Sequence, residues 1–128
     1  MIIIGHRAIE YNAFKKIENI ENIADSRANE IVWFYSNINE SYNLAKYCGK
    51  NNIAYGVFVD SLRDVIIFAN LMAKFIIIKE KNLVENAQKI ANEYFFDSKI
   101  LYVINDEGSI ENMAMLGVDG VIFNDILK

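Results

Sequence analysis

The chain has 128 residues, of which 53% are apolar and 23% charged, and its formal net charge is −4. Such a balance excludes a disordered chain, and no basic stripe is present to meet a nucleic acid. One domain is expected, and a complete eight-stranded α/β barrel, which takes roughly 200 residues or more, does not fit.

The single cysteine, Cys48, excludes an internal disulfide and fits a reducing, cytoplasmic setting. Its plain reading is a small buried hydrophobe on a helix. No secretory signal is expected, because the three isoleucines before Gly5-His6-Arg7 make too short an apolar core. The longest apolar region, Val65 to Ile78, is broken by Asn70 and Lys74 and is too short to span a bilayer. No membrane or nucleic-acid partner is therefore expected.

In chain order, Ile2-Ile3-Ile4 reads as a buried strand closed by Gly5. Phe14, Ile17, Ile20 and Ala24 recur at spacings of three and four, which predicts a helix over 12–24. Ile31 to Tyr35 is a strand of β-branched and aromatic residues. Asn39 is placed to cap the next helix, whose buried face is Ser41, Leu44, Ala45 and Cys48, and Gly49 to end it. Ile53 to Val59 is the following strand. Ser61 with Asp64 reads as a capping-box-like start of a helix faced by Leu62, Val65, Ile66 and Ala69.

The strongest pattern lies between Phe75 and Asp125, where strand and helix alternate without slack. Phe75 to Ile78 is a strand. Asn82 with Glu85 repeats the capping arrangement and opens a helix over 82–96, with Leu83, Val84, Ala87, Ile90, Ala91 and Tyr94 on one face. Ile100 to Ile104 is a strand, Ser109 to Leu116 a helix ended by Gly117, and Val121 to Phe123 a last strand opened by Gly120. Trp33-Phe34-Tyr35 and Tyr94-Phe95-Phe96 read as core aromatics, with an oligomer contact as the other use of such clusters.

Six strands joined by long connections predict an α/β domain spanning 1–128. Its core is an open, mostly parallel six-stranded sheet, doubly wound, with helices on both faces and of flavodoxin-like size. The alternative is a partial α/β barrel, whose exposed edges would be covered most simply by a homodimer.

In a parallel sheet all strands end on one rim, and ligands bind outside their carboxyl ends. That rim is predicted to carry Gly5-His6-Arg7, Ser36-Asn37, Asp60-Ser61, Lys79-Glu80-Lys81, Asn105-Asp106-Glu107 and Asn124-Asp125. His6, the only histidine, is the candidate general acid or base. The candidate ligand-binding residues are Arg7, Asp60, Lys79, Glu80, Asn105, Asp106, Asn124 and Asp125. Arg7 can grip a phosphate or carboxylate in a fork, but a joint site with His6 requires the chain to turn at Gly5.

No metal site is assigned. The inventory excludes a zinc set. Magnesium needs only one or two carboxylates, and Asp60, Glu80, Asp106 and Asp125 are those that could converge. There is no phosphate-cradling glycine loop, and Ser36, Ser61 and Ser109 have no spaced His/Asp partners beyond His6, so no other cofactor is expected.

Two pieces of the chain resemble a known family. Ile100-Leu101-Tyr102-Val103-Ile104-Asn105-Asp106, followed by Met115-Leu116-Gly117-Val118-Asp119-Gly120-Val121-Ile122-Phe123-Asn124-Asp125, is similar to the ending of glycerophosphodiester phosphodiesterases. Ile3-Ile4-Gly5-His6-Arg7-Ala8 is similar to their first strand, which ends in His-Arg-Gly. Those enzymes are α/β barrels. The resemblance implies a catalytic role for His6 and a substrate-contacting role for Arg7. The sequence departs from the family in lacking a second histidine and the Glu-x-Asp metal pair, and Ala8 replaces the glycine. The resemblance then implies a shortened relative, inactive or with changed chemistry.

The sequence thus leads to a small, non-catalytic α/β domain that binds a small anionic or phosphorylated ligand, or a partner protein, at the rim. The rival is a metal-assisted phosphodiesterase-like hydrolase using His6 and Arg7. Convergence of His6 with two or more of Asp60, Glu80, Asp106 and Asp125 would favour the rival.

Overall fold

A computed structural model describes residues 1–128. The elements run β1 (Ile2–Ile4), β2 (Phe14–Lys16), α1 (Ile20–Ala24), β3 (Ile31–Tyr35), α2 (Ser41–Lys50), β4 (Tyr55–Phe58), α3 (Leu62–Asn70), β5 (Phe75–Ile78), α4 (Lys81–Glu93), β6 (Lys99–Ile104), α5 (Ile110–Leu116) and β7 (Gly120–Phe123). The seven strands form one sheet in the order β1-β7-β6-β5-β4-β3-β2, and every neighbouring pair is parallel. The expected α/β class and open parallel sheet are both present.

Strand order selects the curled one of the two expected arrangements. From β2 to β7 the chain steps over one strand at a time, always in the same direction. Right-handed crossovers that advance one way set their helices on one face. Val32, Phe34, Val57, Ile76, Ile100 and Val121 accordingly share a core with Leu44 of α2, Val65 of α3, Val84 of α4 and Met113 of α5. The alternate residues Ile4, Ile31, Phe75, Ile77, Leu101 and Ile122 pack against one another on the opposite, concave face. The rings of Phe14 on β2 and Phe75 on β5 lie 5.8 Å apart. Three strand spacings in a flat sheet would separate them by roughly 14 Å. The sheet is therefore a half-barrel filled by its own side chains.

The seventh strand, β2, falls inside the helix expected over 12–24, and this corrects the sequence reading. Ile17 is buried, and its amide donates to the Trp33 carbonyl at 2.8 Å, which holds the segment to β3. Asn19 then caps α1 by accepting from the Asn22 amide at 3.0 Å, so the helix begins only at Ile20. The three-and-four spacing mixes one short strand with one short helix.

Three helix ends also differ. Asn39 does not cap α2, whose preceding residue is Glu40, and the helix runs through Gly49 to Lys50. The left-handed residue that follows it is Asn52, with φ 55°. Glu80, not Asn82, caps α4: its carboxylate accepts from the amides of Asn82 at 3.0 Å and Leu83 at 3.2 Å. At the other end α4 stops at Glu93, and Phe95 takes a left-handed φ of 54°. Its ring is 88% exposed and Tyr94 is also exposed, so of that aromatic trio only Phe96 packs on the core. Trp33 and Phe34 are buried as expected.

Other readings match. Ser61 accepts from the Asp64 amide at 3.2 Å at the start of α3. Gly117 ends α5 at φ 87°. Cys48 is buried, and burial pushes its thiol up to about 11. No helix is long and apolar enough to cross a membrane.

The docking of β1 beside β7 positions everything that follows. A Cβ on Gly120 would lie 2.6 Å from both Cβ and O of Ile2 and 2.8 Å from Leu101 Cδ2, so only glycine admits β1 this closely. Asp119 ties the same corner. Its carbonyl accepts from the Ile2 amide at 2.9 Å and its carboxylate from the Ile100 amide at 2.9 Å, while its own amide donates to Gln88 Oε1 at 2.8 Å. Gly120→Ala is expected to lower stability by about 2 kcal/mol, because the backbone it meets cannot yield; denaturant unfolding measures this, and a loss under about 0.5 kcal/mol would refute the close contact.

Candidate functional site

All seven strands point the same way, so their polar ends share one rim. At the end of β1 the chain turns at Gly5, whose φ is +110°. A side chain there would be strained by that angle, and its Cβ would also lie 2.8 Å from Ile126 Cγ1 and 2.9 Å from Phe123 Cβ. The turn required for His6 and Arg7 to share a site is therefore present.

His6 is fixed through both ring nitrogens. The Ala8 amide donates to Nδ1 at 3.1 Å. A nitrogen that accepts carries no proton, so the neutral ring is protonated at Nε2 and donates to Glu107 Oε2 at 2.7 Å. The ring also lies against Phe123, with centroids 6.2 Å apart. The His6–Glu107 contact is the structure's only pairing of a basic side chain with a carboxylate within ion-pair distance.

Glu107 is more than half exposed, with 57% of its side-chain surface open. The hydrogen bond from His6, followed by the nearby Arg7 charge, holds its carboxyl below the ordinary glutamate value of 4.5. Arg7 is exposed and has no carboxylate partner in contact. The Gly5–Tyr11 loop lines an open depression of about 670 Å³.

The other predicted residues do not gather here. Glu80 is committed to the start of α4. Asp106 accepts from the Gly108 amide at 2.9 Å and caps a 3₁₀ turn over Glu107–Ser109. Asp60, Lys79, Asn105, Asn124 and Asp125 stand exposed at the ends of β4, β5, β6 and β7. After Asn124 and Asp125, Ile126 and Leu127 fold onto the concave core. No three His, Cys, Asp or Glu side chains form a group that could hold a metal ion. His6 thus meets none of Asp60, Glu80, Asp106 and Asp125 in a hydrogen bond.

The sequence reading set Glu107 on the rim but did not select it. It stands 101 positions from His6, and no spacing rule reaches that far. Only the β1-β7-β6 order brings the two strand ends together.

The lowered Glu107 carboxyl sets the sign of a pH test. A depressed native value means that the interaction contributes above the ordinary carboxylate range and is lost as pH falls through the native value. Carboxyl NMR should show Glu107 titrating below 4.5, and His6→Ala should return it upward further than Arg7→Ala does. An ordinary midpoint in the native chain would contradict the pairing.

No family model and no curated protein matches this chain.

Proposed function

We propose that this chain is a non-catalytic α/β domain that binds a small anionic or phosphorylated ligand at the carboxyl rim of its sheet, with Arg7 as the principal anion contact. The observation that carries this reading is the division of labour after Gly5. Both nitrogens of His6 are engaged, one by the Ala8 amide and one by Glu107, whereas Arg7 is exposed without a carboxylate partner. A guanidinium so presented can take two oxygens of one anion. The rim acids that a hydrolase would need for a metal are spent on helix caps or stand apart. A cytoplasmic location, in keeping with one unpaired cysteine, and covering of the free sheet edges by a second copy belong to the same reading.

The phosphodiesterase-like reading has one specific support. The one-way strand order, with the first strand beside the last, is that of an α/β barrel, and His6 and Arg7 follow the first strand as the family resemblance implies. In that reading His6 passes a proton, with Glu107 orienting it, and Arg7 holds the phosphate.

Calorimetric titration with inorganic phosphate separates the two. Binding is expected, and Arg7→Ala should weaken it about tenfold, as befits loss of a charge-assisted bidentate contact. Binding indifferent to Arg7 would defeat the proposal. Turnover of a phosphodiester in the presence of magnesium that disappears in His6→Ala would instead establish the hydrolase.

A further inference from the structure

We propose that the face at the amino ends of β5 and β6 is a contact between two copies of this chain, related by a two-fold axis and centred on Phe95. It lies at the end of the sheet opposite the rim, so it goes beyond the anion reading. The starting observation is how the helices end. α2, α3 and α4 all finish in the same turn: the amides of Ile53, Ala73 and Phe96 donate to the carbonyls of Cys48, Phe68 and Ala91 at 2.9, 3.1 and 2.9 Å. That turn requires one left-handed residue, ordinarily glycine or asparagine. Asn52 supplies it after α2, but Met72 and Phe95 stand there after α3 and α4, at φ 68° and 54°.

Both side chains face water, Met72 at 73% and Phe95 at 88% exposure. A bulky residue is strained at such an angle, and an apolar side chain left in water recovers none of that cost. β5 and β6 are neighbours, so the two turns meet, and Met72 and Phe95 line one depression of about 440 Å³. Ala69 and Ala73 line it with small side chains. The two turns are tied together: the buried Ser98 hydroxyl donates to the Ala73 carbonyl, and the Lys99 amide to the Lys74 carbonyl at 3.0 Å. The hollow and its projecting ring are therefore held in place before anything binds.

The occupant that fits is a second copy. One surface carries both a knob, the Phe95 ring, and an apolar hollow to receive one. A two-fold contact needs both on the same surface, because each meeting of two residues is repeated in reverse. The charges agree. Lys74 and Asp97 are exposed, both line the depression, and neither has an opposite charge within ion-pair distance. Across a two-fold axis Lys74 of one copy meets Asp97 of the other, on both sides of the axis. A partner of a single charge sign would meet one of the two with like charge.

Sedimentation velocity of the full chain tests this. The wild type is expected to form a species of twice the chain mass, and a chain that stays monomeric at every soluble concentration would overturn the inference. Phe95→Gly suits the left-handed angle, so it should keep the fold by circular dichroism while weakening the dimer about tenfold or more. Lys74→Asp and Asp97→Lys should each weaken the dimer alone, because like charges then face one another, and should restore it when combined. A dimer indifferent to Phe95→Gly would place the contact elsewhere, such as the free sheet edges, and overturn the inference. So would a double variant as weak as the single ones. Phosphate binding should be the same in Phe95→Gly as in the wild type, so the anion site is judged by its own titration.

Discussion

The contact between the backbone of Ile2 and the missing side chain of Gly120 governs this structure. A parallel sheet that advances one strand at a time has its first and last strands far apart unless it curls. Here the chain leaves β1 for the opposite edge, builds back from β2 to β7, and closes on the strand it began with. Glycine at 120 lets the two backbones approach, and Asp119 accepts from β1 and β6 while its own amide donates to Gln88 of α4. Burial of the concave residues rewards the curl, since each aliphatic side chain removed from water contributes on the order of 2 kcal/mol.

That closure has a chemical consequence. Once β1 lies beside β7, and β7 beside β6, the loop after the first strand faces the loop after the sixth. His6 then meets Glu107 and is held by it, and Arg7 is left exposed near the same carboxylate. Gly5 completes the arrangement by adopting a φ that a side chain would resist, between Ile126 and Phe123. The result is a rim whose histidine is fixed and whose Arg7, like the rim lysines Lys79 and Lys81, has no carboxylate partner.

Most strands were legible because a parallel strand is covered on both faces and reads as an unbroken apolar run, as Phe75–Ile78 does. β2 was not, since an edge strand of Phe14-Lys15-Lys16 is short and half-charged. Strand order leaves no local trace in a sequence, so the reading favoured a doubly wound sheet and kept the curled one as the alternative. The rim was legible as a set of positions, but the use of its acids was not. A carboxylate just after a strand is equally suited to a ligand and to the amides of the next helix. Glu80 and Asp106 serve the helix ends. Trp33 read correctly as a buried ring, whereas Phe95, read the same way, is exposed.

The pairing of β1 with β7 underlies the whole arrangement, and nuclear Overhauser spectroscopy of the labelled chain tests it most directly. Cross-peaks from the Gly120 α-protons to Ile2, together with cross-peaks between the rings of His6 and Phe123, are the predicted result. Cross-peaks that join Ile2–Ile4 to the backbone of Phe14–Lys16, with none to β7, would contradict it.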